Sequence, residues 1–358
     1  MSFVSRLALA PLVVAYGAAA RARVALYRRG ALRSLSVGAP VLSVGNLTAG
    51  GTGKTPLVEW LARAVVSEGR RACVLTRGYA REDARRRVVV SDGAHVSAGA
   101  REAGDEPLWL AERLLPLGAA VVCDADRVAA ARFAIAELGS DAFILDDGFQ
   151  HLRLARDLNV ATLDATDPWG GGRLLPAGLL REPVAGLARA DCVVITRAEL
   201  SEDVGGLRAE AARLGGGRPV FAARTRTTGF KLVAGGARAG QVERAGMPRE
   251  VAAFCGIGNP RAFFANLARE GFELRHARAF ADHHAYAQRD VDALVRDARE
   301  SRAEVLLTTA KDAVKLRGLR FELPCYEVEI EFEIDDEGSL TELVRRALAA
   351  GDARRLPR

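Results

Sequence analysis

Residues 41–56 read Val-Leu-Ser-Val-Gly-Asn-Leu-Thr-Ala-Gly-Gly-Thr-Gly-Lys-Thr-Pro. An apolar run gives way to a turn with glycine at 50, 51 and 53, then to Lys54 and Thr55 at the head of an amphipathic stretch. That is the strand, glycine turn and helix of a P-loop. In such a turn the amides from Thr48 through Ala49, Gly50, Gly51, Thr52 and Gly53 cradle phosphate oxygens, at a closeness that glycine allows. Lys54 would reach the β- and γ-phosphates, Thr55 would hold Mg²⁺, and the helix N-terminus adds partial positive charge. The general pattern has glycine five residues before Gly53, where this chain has Thr48. Lysine occurs only four times, at 54, 231, 311 and 315, in a chain that otherwise uses arginine. Its presence here therefore favours a nucleotide site over a bare glycine turn.

A second chemical signal is Ala142-Phe-Ile-Leu-Asp-Asp-Gly-Phe-Gln-His151. A buried strand ending in Asp146 and Asp147 puts carboxylates at the sheet edge where open α/β folds bind ligands. One of them can hold Mg²⁺, and two adjacent carboxylates repel unless a cation is near. Gly104-Asp105-Glu106-Pro107 enters a helix, so Asp105 is either a cap or a carboxylate that accepts a hydroxyl proton near the γ-phosphate. In Phe280-Ala-Asp-His-His-Ala-Tyr286, an imidazole held by Asp282 would shuttle a proton or bind phosphate. Zinc is improbable there, because no further Cys or His lies at ligand spacing. Arg77, Arg173 and Arg181 offer guanidinium forks for phosphate. With Asn46, Gln150 and His151 they form the substrate-binding candidates. Thr308-Thr-Ala-Lys-Asp-Ala-Val-Lys315 reads as a solvated helix start, weak as a site.

These groups must be positioned by a fold. Apolar runs near 41–45, 71–76, 119–123, 142–146, 159–163, 191–196 and 219–223 alternate with helical stretches near 56–67, 106–114 and 126–138. The alternation predicts an α/β architecture, a mostly parallel P-loop NTPase-like sheet with helices on both faces. Glycine-rich stretches at 215–217 and 235–240 precede a later group: strands near 251–255, 304–309 and 325–331, helices near 260–270, 287–300 and 337–350. We expect an N-terminal membrane-associated helix (1–30), a kinase-like domain (31–225) and a smaller C-terminal α/β domain (226–358).

The length suits domains with real cores, and a formal charge of +6 points to an anionic partner. No nucleic-acid motif and no obligate protein partner is evident, and the scattered cysteines read as buried thiols. The uncharged run 7–20 is short of the roughly 20 residues a bilayer needs. Arginines 21, 23, 28 and 29 follow it. This predicts a helix lying on the inner-membrane surface among anionic headgroups rather than a signal peptide. A guanine-reading Asn-Lys-x-Asp is missing after strand 191–196, where Thr-Arg-Ala-Glu stands, which disfavours a GTPase. A nucleotide-switch ATPase at the membrane surface is the alternative, although Ala49 replaces the lysine that deviant P-loops of that group carry.

The serial order of eight motifs, from Gly-Asn-Leu-Thr-Ala-Gly-Gly-Thr-Gly-Lys-Thr-Pro (45–56) through Thr-Arg-Gly-Tyr (76–79), Gly-Asp-Glu-Pro (104–107), Asp-Asp-Gly-Phe-Gln-His (146–151), Leu-Leu-Pro-Ala-Gly-Leu-Leu-Arg-Glu-Pro (174–183), Phe-Cys-Gly-Ile-Gly-Asn-Pro (254–260) and Asp-His-His-Ala-Tyr (282–286) to Thr-Thr-Ala-Lys-Asp-Ala-Val-Lys-Leu (308–316), resembles the tetraacyldisaccharide 4′-kinase family. Thr48 agrees with that family. The resemblance implies transfer of the ATP γ-phosphate to the 4′-hydroxyl of an acylated glucosamine disaccharide 1-phosphate, in lipid A synthesis at the cytoplasmic face of the inner membrane. It implies Asp105 as base in a relay with His283, Mg²⁺ and γ-phosphate duties for Asp146 and Asp147, and nucleotide phosphates on the turn and Lys54.

Overall fold

The computed structural model describes residues 3–79, 81–235 and 241–354. Of the glycine-rich stretch 235–240, residues 236–240 lie outside the described residues. The chain begins with α1 (Phe3–Arg28). The first half then runs β1 (Val41–Asn46), α2 (Lys54–Ser67), β2 (Ala72–Thr76), β3 (Val88–Ser91), α3 (Ala100–Ala103), α4 (Asp105–Leu114), β4 (Ala120–Cys123), α5 (Arg127–Glu137), β5 (Ala142–Leu145), β6 (Leu158–Asp164), β7 (Cys192–Thr196) and α6 (Val204–Leu214). β8 (Val220–Ala234) leads into β9 (Gln241–Val242), β10 (Glu250–Cys255), α7 (Pro260–Arg269), β11 (Glu273–Ala279), α8 (Gln288–Glu300), β12 (Leu306–Thr309), α9 (Ala310–Ala313), β13 (Cys325–Ile334) and α10 (Glu337–Ala353).

Thirteen strands form one sheet in the order β11-β10-β12-β13-β8-β7-β6-β1-β5-β2-β4-β3, with β9 beside β8. The ladder is parallel except at β3–β4, β13–β8 and β8–β9. β1, β2, β4 and β5 are buried along their whole length. Strands covered on both faces carry no polar alternation, which is why their apolar runs are continuous. On one face α2 buries Leu57, Leu61 and Val65, spaced by whole helical turns, with Leu110 and Leu114 of α4. On the other, α5 packs Ala130 and Ala134 over β2 and β5.

Three features differ from expectation. α6 follows an Asp203 cap whose carboxylate accepts the Gly206 amide, and its paired glycines hide a helix from propensity reading. β3 is a four-residue edge strand behind an arginine run, too short to show a period. β8 is far longer than 219–223. Its start pairs parallel with β7 (Val193 opposite Val220), and its remainder runs antiparallel to β13. Position 225 therefore lies inside a strand common to both halves, and α10 returns Leu340, Val344 and Leu348 to the first half's core.

α1 is also more continuous than the apolar run 7–20. Its segment Leu9–Arg28 is long and apolar enough to cross a membrane by length and composition.

Candidate active site

After Asn46 the chain turns through Leu47–Gly53 into α2. Gly50 (φ 115°) and Gly53 (φ 68°) occupy backbone that side chains resist. The turn is pinned from behind. The Ala49 amide donates to the Leu179 carbonyl at 2.6 Å, and the Asn46 amide donates to the Thr48 carbonyl (2.7 Å) and hydroxyl (3.1 Å). Thr52, buried, shares a hydroxyl contact with Thr162 at 3.0 Å and takes a bond from the Thr196 hydroxyl on its carbonyl. Thr48 and Asn46 thus brace the loop, while Ala49–Thr55 line a cleft of about 1060 Å³.

Lys54 Nζ donates to Asn46 Oδ1 at 3.0 Å and pairs with Asp147 at 3.3 Å. Arg181 Nη1 lies 2.8 and 2.7 Å from the two Asp147 oxygens. Burial works to raise the Asp147 carboxyl, but Lys54 and Arg181 outweigh it and hold it at about 2. Asp146 beside it accepts from the Thr76 hydroxyl. Burial, then the charges of Glu106 and Asp147, push its carboxyl up to about 6. A carboxyl crowded in this way gains most from a cation. Thr55, Asp146 and Asp147 are hard oxygen donors on the same cleft wall, a set suited to Mg²⁺ that keeps phosphate and water as its other ligands. Asp147 is already engaged by two cations, so Asp146 is the more available donor.

Gly104 (φ 93°) turns the chain into α4, whose first residue is Asp105. Asp105, 4% exposed, meets His283 Nδ1 at 2.8 Å through Oδ1. Its Oδ2 lies 3.3 Å from Lys315 Nζ and 4.0 Å from Lys311 Nζ. Burial opposes ionisation, yet His283 and the two lysines hold the Asp105 carboxyl at about 2. The same hydrogen bond, acting against burial, lifts the His283 imidazole above its ordinary range. His283 sits at φ 59° and presents Nε2 to Asp282 at 3.8 Å. His284 is turned away, stacked on Phe280 and 3.1 Å from Asp290. His283 lines the cleft wall and Asp105 lies behind it.

The two halves touch directly at the phosphate turn. A Cβ added at Gly258 would stand 2.5 Å from the Gly51 nitrogen. Asn259 caps α7 and reaches back to Asp164 at 3.0 Å.

Of the other candidates, Arg77 and His151 line the cleft. Burial, then the charges of Arg127 and Arg156, push the His151 imidazole down to about 4. Gln150 braces the wall, donating to the Asn46 carbonyl and to Glu182. Arg173 is exposed and stands outside the cleft wall.

Lys311 and Lys315, which sequence reasoning set aside as a solvated helix start, lie in the site. Lys315 is anchored on Asp312 at 3.0 Å, and Asp312 is fully buried, taking bonds from the Gly256 amide and the Tyr286 hydroxyl. The signal that could have found them was the scarcity of lysine: three of the four in the chain serve this cleft.

A glycine turn closing on a helix, an acidic strand end and a buried Asp–His pair define a P-loop phosphotransferase. The model of the family "Tetraacyldisaccharide-1-P 4′-kinase" matches residues 5–349. The tetraacyldisaccharide 4′-kinase of Geobacter metallireducens is 46% identical over 308 residues, covering 86% of this chain and 88% of that protein. That of Anaeromyxobacter sp. strain Fw109-5 is 44% identical over 353 residues, covering 96% and 93%. The crystal structure of "apo" form LpxK from Aquifex aeolicus in complex with ATP superposes with a TM-score of 0.76 at 33% identity, covering 96% of this chain and 99% of that one. The chain belongs to the tetraacyldisaccharide 4′-kinase family.

Proposed function

We propose that this chain transfers the γ-phosphate of ATP to the 4′-hydroxyl of a tetraacylated glucosamine disaccharide 1-phosphate, a step of lipid A biosynthesis. The observation that carries the reading is that Lys54 and His283 line one cleft, with Asp105 bonded to the His283 ring. Phosphoryl transfer asks mainly for alignment and for neutralisation of charge on the moving group. The turn amides and Lys54 supply both, and Mg²⁺, held by Thr55 and Asp146 when bound, neutralises phosphate charge further.

The acceptor hydroxyl must lose a proton. His283 faces the cleft, so its imidazole takes that proton while Asp105 behind it steadies the cation that forms. This division of labour differs from the expectation that Asp105 is itself the base. A carboxylate held at about 2 is a weak proton acceptor, and it is screened from the cleft.

The lipid reaches the site past α1. Ala19, Ala20, Arg23 and Val24 line the cleft, and the Tyr16 hydroxyl donates to the Arg181 carbonyl at 2.8 Å. A helix that both walls the cleft and exposes Leu12, Val14 and Leu26 suits a protein resting on the cytoplasmic face of the inner membrane, apolar side down.

Mass spectrometry of the product from purified enzyme, ATP, Mg²⁺ and a tetraacyldisaccharide 1-phosphate tests the reading. One added phosphate at the 4′ position is expected, with ATP turnover nearly silent when the acceptor is omitted. Vigorous hydrolysis without acceptor would instead support a nucleotide switch.

A further inference from the structure

His283 is surrounded by negative charge. Asp105 approaches from α4 and Asp282 is its own chain neighbour, while Glu106, next to Asp105, is held by Lys311. The Tyr79 ring lies 5.2 Å away, the Lys311 charge acts on the ring from the segment after β12, and Lys315 stands 3.3 Å from its partner Asp105. Lys315 is shared with the buried Asp312. Lys311 is not: its Nζ stands 3.0 Å from Asp282, 3.1 Å from Glu106 and 4.0 Å from Asp105. One ammonium thus touches Asp282, Glu106 and Asp105 together. It also crosses the cleft, since Glu106 belongs to the first half and Lys311 to the second.

The geometry points to Lys311 as the positioning residue that keeps His283 free to accept a proton, by neutralising Asp105 and Asp282, which would otherwise hold the imidazole charged, with Glu106 fixing the ammonium in place. This rests on the reading of His283 as the proton acceptor. An imidazole between two carboxylates is stabilised as the cation, and a cationic imidazole has no lone pair to offer. A lysine placed among them cancels that field. The Lys311 ammonium is itself held charged, because the Glu106, Asp105 and Asp282 carboxylates outweigh the burial that opposes it. Its charge therefore persists across the working range of pH.

The test is the pH dependence of kcat for the full-length enzyme and its Lys311→Met variant, with ATP and acylated disaccharide saturating. In the parent, kcat falls as pH drops through the His283 transition, on the high side of the ordinary histidine value. In Lys311→Met that limb moves up by about one pH unit. Near neutral pH the variant is then roughly tenfold slower, and it recovers toward the parent rate in alkali. Lys311→Arg, which retains the charge, keeps the limb within a few tenths of a unit of the parent's. NMR titration of the His283 ring in the unliganded proteins gives the same shift without any turnover, and would do so for a variant too slow to assay.

A loss of rate that is equal at every pH, with an unmoved His283 titration, would overturn the assignment, as would a variant with the parent's profile. A rise in KM for ATP alone would make Lys311 a phosphate ligand instead. If the parent shows no acid limb down to about pH 4 while its ring titration is normal, the reading of His283 as acceptor fails. The ring shift in Lys311→Met still reports separately on the lysine.

Discussion

The phosphate turn with Lys54 shares a cleft with His283 and the Asp105 behind it, yet the two sides come together by different routes. The phosphate side is built largely within one contiguous run. Strand, glycine turn and lysine follow one another between Val41 and Thr55, and the turn's geometry is written in its glycines. The proton side draws Asp105 from α4, His283 from the loop after β11 and Lys311 from the segment after β12. Its members are 178 residues apart in the chain at the Asp105–His283 bond. The first arrangement presents backbone amides and a helix N-terminus. The second works through side-chain charge, and every member sets the protonation of the others. One site therefore pairs a rigid cradle with a tunable electrostatic corner.

Substitutions can pull these apart. Asp105→Asn removes the partner of the imidazole and should lower kcat by roughly 10²–10⁴-fold, with nucleotide affinity, read by calorimetry, close to the parent's. Equal loss of ATP binding would show that the two sides are not separable. Lys54→Ala should reduce kcat/KM by roughly 10²–10³-fold and weaken nucleotide binding as well, the opposite signature. Gly258→Ala sets a methyl 2.5 Å from the Gly51 nitrogen, pushing the halves apart at the turn. A kcat loss of roughly 10–10²-fold from misalignment is expected. Thermal unfolding should change little beside this, because the clash is at a cleft and not in a core. Arg173→Ala is the smallest: the side chain is exposed and outside the cleft, so kcat/KM should stay within about twofold. A large loss there would mean that the lipid reaches farther along the surface than the cleft wall.

The same contrast governs what the sequence revealed. The parallel sheet was legible because strands buried on both faces read as unbroken apolar runs, and the cradle was legible because its residues are adjacent. Asp146 and Asp147 were legible from their place at the end of such a run. The proton corner was legible only as separate motifs, because nothing in Gly-Asp-Glu-Pro or Asp-His-His indicates that they meet. Lys311 and Lys315 gave only a weak signal for the same reason: a lysine beside an aspartate at a helix start resembles solvated surface until Asp105 and Glu106 are brought against it from the other half. β8 was cut short because its outer part, beyond 223, alternates exposed and half-buried residues and loses the continuous run. Arg173 is the converse case, a charged residue in a long loop whose exposure outside the cleft lining could not be seen in the sequence.

The chain passes from one half to the other along β8 and comes back where β13 runs into α10. Ala223 faces Ile334 across the ladder, so the outgoing and returning crossings occupy a single rung. A body tethered to another by two strands side by side has one easy axis, a twist about the line of that ribbon, and resists sliding in any direction. If the cleft opens to exchange nucleotide, the separation of Gly51 from Gly258 should grow as a rotation about that rung, with residues nearest it moving least and Lys311 swinging away from Glu106.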